Sequence, residues 1–374
     1  MTAQLGMVAG EASGDLLASL LLQGLRARWP GLEAAGVGGP KMAAQGFDAW
    51  WPSDELAVFG YVDALKNLPR LLWLRQRLYQ RMVARQPQVF IGVDAPDFNF
   101  TLERRLRAAG LRTAHFVCPS IWAWRPERVH TLAAAADLVL CLFPFEPELL
   151  ARHGVPAVFV GHPLAQAIPM VPPRAAARAA LGLTEEATVV ALLPGSRRGE
   201  IAHIAPTVVQ AARLLAAGRP GLQLLLPAAP GLKGQLAPLC AGLPITLLEG
   251  RAHEALAAAD AAIVASGTAT LEAALYKCPM VITYQVAPLN WRLMRGKALQ
   301  PWFGLPNILS GEFVVPERIQ HEATPERLAA DVLAWLDDAP RAAALRERFA
   351  ALHASLRRDT AKEASDAIAT LIQK

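Results

Sequence analysis

The 374-residue chain is short of the features that announce several common protein classes. It has four cysteines, Cys118, Cys141, Cys240 and Cys278, set far apart with no Cys-x-x-Cys pair and no His/Cys cluster of metal-ligand spacing. Neither a disulfide framework nor a metal site is expected, and the thiols read as reduced and buried, as in a cytosolic protein. No uncharged apolar run approaches the roughly 20 residues that cross a bilayer; a longer one, 138–145, falls well short. The opening residues 1–6 lack a basic stretch followed by an apolar one, so export is not expected. Charge is nearly balanced, 37 basic residues against 32 acidic. That leaves no dense basic patch for nucleic acid, although a net +5 suits an anionic substrate or membrane surface. No Gly-x-Gly-x-x-Gly follows the first apolar run, which argues against a nicotinamide dehydrogenase.

What is present is apolar substance, 53% of the residues, in a chain long enough for two cores. Short apolar runs at 5–9, 88–93, 113–117, 138–142 and 157–160 are each followed by a turn and a helical pattern. The rhythm restarts at 189 and continues through 222–226, 245–248, 261–264 and 280–284. Such alternation predicts right-handed βαβ units and parallel sheets covered on both faces. The proline-rich stretch from His162 to Pro173 continues neither helix nor sheet. The reading is an α/β chain of two Rossmann-like domains, 1–165 and 166–340. Helices over 341–374 are expected to return to the first domain or to a partner subunit. Ligands of open α/β sheets bind outside the carboxyl ends of the strands, so a cleft between the domains is expected to be the site.

Two turns carry the chemistry. The stretch from Ala265 to Glu272 passes from a buried strand through Ser266, Gly267 and Thr268 into a helix. Amides at such a helix start favour a diphosphate, and Glu272 one turn in can accept hydrogen bonds from ribose hydroxyls. The competing explanation is an ordinary capped helix with Ser266 or Thr268 as its cap. A second turn, Pro194-Gly195-Ser196-Arg197, follows the strand at 189–193 and offers a guanidinium fork matched to phosphate oxygens.

Six motifs, in order and nearly end to end, make the chain closely resemble the lipid-A-disaccharide synthases, a GT-B glycosyltransferase family. They are Gly10-Glu11-Ala12-Ser13-Gly14-Asp15, Gly92-Val93-Asp94-Ala95-Pro96-Asp97-Phe98-Asn99 and Pro119-Ser120-Ile121-Trp122-Ala123-Trp124-Arg125 in the first half. In the second half they are Leu193-Pro194-Gly195-Ser196-Arg197, Ala265-Ser266-Gly267-Thr268-Ala269 with Glu272, and Leu305-Pro306-Asn307. The resemblance implies transfer of 2,3-diacylglucosamine from its UDP donor to the 6-hydroxyl of 2,3-diacylglucosamine 1-phosphate. The product would be a β(1→6) disaccharide, formed with inversion and with no cofactor or metal.

On this resemblance Asp94 is the expected general base, with Asp97 as the alternative; a structural turn residue is the competing explanation for Asp94. Glu11, Ser13, Asp15, Asp97, Asn99 and Asn307 are assigned to acceptor or sugar binding. Gly195, Ser196, Arg197, Ser266, Gly267, Thr268 and Glu272 are assigned to UDP. Trp122 and Trp124 read as packing residues, and His115, His130 and His162 as structural. Because the substrates are acylated, the Leu/Trp/Lys/Arg segment at 62–77 is read as a membrane-facing patch carrying Val62, Leu65, Leu68, Leu71 and Leu72, the competing explanation being a helix packed on its own core. The expected setting is the inner face of the inner membrane, and a second copy of the chain is a further candidate partner. Another UDP-sugar enzyme is the alternative reading: a UDP-N-acetylglucosamine transferase acting on a lipid-linked acceptor, or a UDP-sugar 2-epimerase. A two-lobed solute-binding protein would be expected to carry a secretion signal.

Overall fold

A computed structural model describes residues 3–56, 61–288, 291–292, 296 and 299–373, with the side chains of Ala12 and of residues 61–66 outside that description. The chain forms two compact units, one of residues 1–166 with 356–374 and one of residues 167–355. The return to the first unit thus begins near Leu356, and residues 341–355 belong with the second.

The first unit is built on a seven-stranded parallel sheet of β1 (Gln4–Ala9), β2 (Glu33–Gly38), β3 (Asp48–Pro52), β4 (Val89–Val93), β5 (Thr113–Phe116), β6 (Leu138–Cys141) and β7 (Ala157–Phe159). Their spatial order is β3-β2-β1-β4-β5-β6-β7. The second unit carries β8 (Val189–Leu193), β9 (Gln223–Ala228), β10 (Ile245–Glu249), β11 (Ala261–Ala265), β12 (Met280–Tyr284) and β13 (Glu317–Ile319), in the order β10-β9-β8-β11-β12-β13. The central strands β4, β8 and β11 are buried at every position, as strands covered on both faces must be. In each sheet the order reverses once, between β1 and β4 and between β8 and β11. Helices leaving these neighbours cover opposite faces, so the turns at their carboxyl ends stand apart and open a crevice.

Three strands escape the sequence pattern. β2 is Glu-Ala-Ala-Gly-Val-Gly and β3 is Asp-Ala-Trp-Trp-Pro, neither of which alternates or is rich in β-branched residues, while β13 spans only three residues. They are strands because neighbouring strands supply the pairing: β2 registers on β1 from Gln4↔Glu33 to Val8↔Val37, and β13 registers on β12.

Among the described residues, one helix, Arg198–Gly218, is long and apolar enough to cross a membrane by length and composition. Its Ile201, Ile204, Val208, Val209 and Leu215 are buried in the second unit. In helix Tyr61–Arg85, Leu74, Leu78 and Met82 recur at the four-residue spacing of one face and are buried. Leu68, Leu72 and Trp73 are exposed at 46%, 46% and 53%. Leu71 is half-buried against the core, and Val62 and Leu65 lie outside the described side chains.

The C-terminal helix Thr360–Gln373 docks on helix Glu11–Arg28 through a point where only glycine fits, since a Cβ on Gly24 would lie 2.1 Å from the Ala361 carbonyl oxygen. Alanine ordinarily favours a helix interior over glycine by about 1 kcal/mol. Here Gly24→Ala is expected to destabilise the protein by about 1–3 kcal/mol, because two backbones must part. Urea unfolding checks the sign, and faster amide exchange over 360–373 checks the place.

Candidate active site

In the second unit, the turns at the β8–β11 reversal form the walls of a cavity of about 730 Å³. All seven residues assigned from sequence to UDP line it: Gly195, Ser196 and Arg197 from one turn, Ser266, Gly267 and Thr268 from the other, and Glu272 from the helix Thr268–Leu275. Gly195 at φ 121° and Gly267 at φ 140° adopt backbone conformations that side chains other than glycine rarely enter. The sequence reading missed the third wall, where Gly250, Arg251, His253 and Glu254 follow β10, together with Pro227 near the end of β9 and Pro230 after it. The signal for them was available, since each group directly follows a predicted strand.

Arg197 is 71% exposed in its side chain and precedes the 21-residue helix Arg198–Gly218. Glu200, one turn in, receives the Arg197 guanidinium at 2.8 Å and the amides of Ser196 and Arg197 at 3.2 and 3.3 Å. A carboxylate therefore occupies donors suited to phosphate oxygen, so an anion taking those amides competes with Glu200. Glu272 lies 3.7 Å from His253 Nε2 and holds that imidazole above its ordinary range.

Asn307 is placed differently from its assignment to substrate. It is fully buried, its Nδ2 donating to Val315 O and Glu317 Oε1 and its Oδ1 accepting the amides of Val314 and Val315. Both donors and both lone pairs are used, which leaves none for a sugar. Glu317 in turn accepts the amides of Phe303 and Gly304, and the Phe303 carbonyl receives the Ser266 hydroxyl at 2.7 Å. Asn307 and Glu317 thus brace the cavity turn from behind.

In the first unit the turns after β1 and β4 lie side by side, with Ala95 Cβ 3.4 Å from the point a Cβ on Gly10 would occupy. Asp94 and Ala95 hold successive left-handed conformations, φ 52° and 44°, between β4 and helix Pro96–Ala108. Asp94 is half-buried and its amide donates to Phe116 O. Glu11, also left-handed at φ 55°, and Ser13 are exposed in the first turn of helix Glu11–Arg28, which follows β1. Asp97 is exposed and paired with Arg128. Two assigned residues are consumed by the fold. The Asp15 carboxylate accepts the amides of Gly39, Lys41 and Met42 at 2.9–3.0 Å, and buried Asn99 donates to the Asp94 carbonyl at 2.8 Å.

In the tryptophan motif, Trp122 packs edge-on to Phe143 and Phe145 and donates to the buried Glu146, while Trp124 is exposed beneath the Arg125 guanidinium. His162 is buried against Phe143 and its Nδ1 accepts the Leu164 amide. Burial lowers His162 to about 4. It also pushes the Glu146 carboxyl up to about 7, against hydrogen bonds from Phe143 and Trp122.

Comparison with known proteins places these geometries in context. A family model described as lipid-A-disaccharide synthetase matches residues 5–370. The lipid-A-disaccharide synthase of Verminephrobacter eiseniae is 55% identical over 99% of this chain and 97% of its own length. That of Thiobacillus denitrificans is 53% identical over 98% and 99%. Among solved structures, the UDP-GlcNAc 2-epimerase of Neisseria meningitidis bound to UDP-GlcNAc aligns with a TM-score of 0.66 at 11% identity, over 99% of this chain and 100% of its own. Acinetobacter baumannii MurG aligns with a TM-score of 0.55 at 14% identity, over 100% and 99%. At such identities the structural likeness speaks for the fold alone, the two-domain α/β architecture of the GT-B type.

Glu146 gives a pH signature to this part of the first unit. Its folded value exceeds the ordinary 4.5, so the stability it contributes is present below about 4.5 and is lost as pH rises to about 7. The melting temperature of Glu146→Gln minus that of the parent is expected to climb between pH 4.5 and 7 and to level off above. A difference independent of pH would contradict this.

Proposed function

This chain belongs to the lipid-A-disaccharide synthetase family, and on that premise we propose the substrates and course of its glycosyl transfer. The donor is UDP-2,3-diacylglucosamine, the acceptor is 2,3-diacylglucosamine 1-phosphate, and the products are the β(1→6) disaccharide 1-phosphate and UDP. One in-line displacement forms the bond from the acceptor O6 to the anomeric carbon and breaks the bond from that carbon to the diphosphate, inverting the centre. The acceptor hydroxyl proton passes to Asp94, and Glu11 and Ser13 on the adjoining turn hold the acceptor. Charge leaving with UDP is met by Arg197, the amides of the two cavity turns and the start of helix Arg198–Gly218, without a metal ion. Glu272 takes the ribose.

The observation that carries this reading is the single cavity lined by both strand-to-helix turns, with an exposed arginine at the start of a long helix. Single-turnover assays test it. Asp94→Ala should bind both acyl-sugars yet lose turnover by on the order of 10²–10⁴-fold. Arg197→Ala should weaken UDP binding, and a chelator should leave the rate unchanged. Parental turnover in Asp94→Ala would remove the base, and loss of activity on chelation would remove the metal-free leaving group.

Acylated substrates need a lipid surface, and we assign it to the exposed Leu68, Leu72 and Trp73, flanked by Arg70, Arg75 and Arg77. Docking there would place the enzyme on the inner face of the inner membrane. Leu68→Ser/Leu72→Ser should leave the melting temperature within a few degrees and reduce flotation with anionic vesicles. Unchanged flotation would refute the patch.

A further inference from the structure

Beneath the Asp94 turn sits a group of buried polar side chains, Asn99, Glu103 and His115, to which the proposed function gives no substrate contact. Glu103 and His115 are both fully buried and meet at 2.8 Å, Oε1 to Nδ1. His115 pairs in register with Gly92 across β4 and β5, and a Cβ on Gly92 would lie 2.0 Å from Glu103 Oε1 and 3.0 Å from Asn99 Cγ. The carboxyl of Glu103 and the carboxamide of Asn99 therefore crowd one spot, which glycine leaves open. Among the described residues, Asn99 Oδ1, Glu103 Oε2 and His115 Nε2 are buried with no hydrogen-bond partner in the protein.

Such a cluster is a poor way to stabilise a core. A buried ion pair is often matched or bettered by apolar side chains of similar volume, and each unpaired buried polar atom costs about 1–3 kcal/mol. Asn99 Nδ2 joins this group to the backbone above, donating to the Asp94 carbonyl at 2.8 Å and lying 3.5 Å from that of Val93. That carbonyl belongs to the first of two successive non-glycine residues held at positive φ. Backbone of this kind persists only where its surroundings over-determine it.

We propose that Glu103 and His115, acting through Asn99, are positioning residues that lock the Asp94–Ala95 turn in its left-handed conformation and so aim the Asp94 carboxylate. The proposal rests on Asp94 being the base. Glu103 and Asn99 both border the space that Gly92 leaves open, β5 holds His115 against Glu103, and Asn99 carries the constraint to the turn through its bond to the Asp94 carbonyl.

The test measures kcat, KM and melting temperature for four variants of the full-length protein. Glu103→Met/His115→Leu should melt at or above the parent while kcat falls on the order of 10–100-fold with KM little changed, because the base is misplaced and binding is not. Asn99→Asp, which cannot donate to the Asp94 carbonyl, should show the same split. Glu103→Gln keeps an acceptor for Nδ1 and offers a donor toward Asn99, so it should restore most of the lost turnover. Asp94→Ala in the same assay separates the two readings. If it is active, the base assignment fails and the relay with it. If it is inactive while the double variant and Asn99→Asp keep parental kcat, the relay alone is overturned. A lower melting temperature with unchanged kcat would make the cluster structural and would also overturn it.

Discussion

An open parallel sheet with helices on both faces has a place where its strand order reverses, and the site residues proposed for this chain are placed by that geometric constraint. Neighbouring strands at the reversal send their helices to opposite faces, so their carboxyl-end turns separate and expose amides that no helix or ladder satisfies. The first sheet reverses between β1 and β4, the second between β8 and β11. The turns carrying Glu11 and Asp94 flank one reversal, and those carrying Arg197 and Ser266 flank the other. Glycine appears where those turns need it, at Gly195 and Gly267. Elsewhere the same demand is met by non-glycine residues in left-handed conformations, Glu11, Asp94 and Ala95.

The polar residues near these turns fall into two groups that differ in what their hydrogen bonds are already doing. Arg197, Thr268 and Glu272 present side chains to a cavity. Asp15, Asn99 and Asn307 are buried, and apart from the Asn307–Glu317 bond their hydrogen bonds go to backbone. A carboxylate accepting three amides, as Asp15 does, tethers helix Pro40–Ala44 to the first turns of helix Glu11–Arg28. The Asn307–Glu317 pair does the same for residues 303–304 and, through the Phe303 carbonyl, for Ser266. A turn that must hold donors still for a ligand is itself held from behind.

This division marks how far the sequence could be read. The central strands and the paired turns were legible because buried parallel strands are short apolar runs and their exits carry Gly, Ser, Thr and Pro. β2, β3 and β13 were not, since their strand character comes from a neighbour's register. Asp15, Asn99 and Asn307 were assigned to the ligand by resemblance, and the sequence could not correct this because a polar residue beside a turn has the same signature whether it faces solvent or backbone. Asp15's partners lie 24 to 27 residues away, a separation that local pattern does not encode. Arg251 and His253 were overlooked for the converse reason. β10 is only half-buried, and its exit pairs Gly250 with an arginine and lacks the serine that marks the other two turns.

The arrangement also explains where stability is given up. The Asp94–Ala95 turn adopts conformations that cost of order 1–3 kcal/mol each, and beneath it lies a carboxyl–imidazole pair with unmatched polar atoms. Around this strained spot the first unit is conventional. β1 and β4 are buried on both faces, and the helix Thr360–Gln373 packs on Glu11–Arg28 so closely that Gly24 has no room for a methyl group. A marginally stable domain tolerates a few kcal/mol of local strain only if the surrounding core is cooperative. The C-terminal helix supplies Ala364, Ile368 and Leu371 to the core cluster that contains Val93, the residue before Asp94. The last segment of the chain thus helps to support the turn that starts at its ninety-fourth residue, which makes the return to the first unit part of that turn's construction.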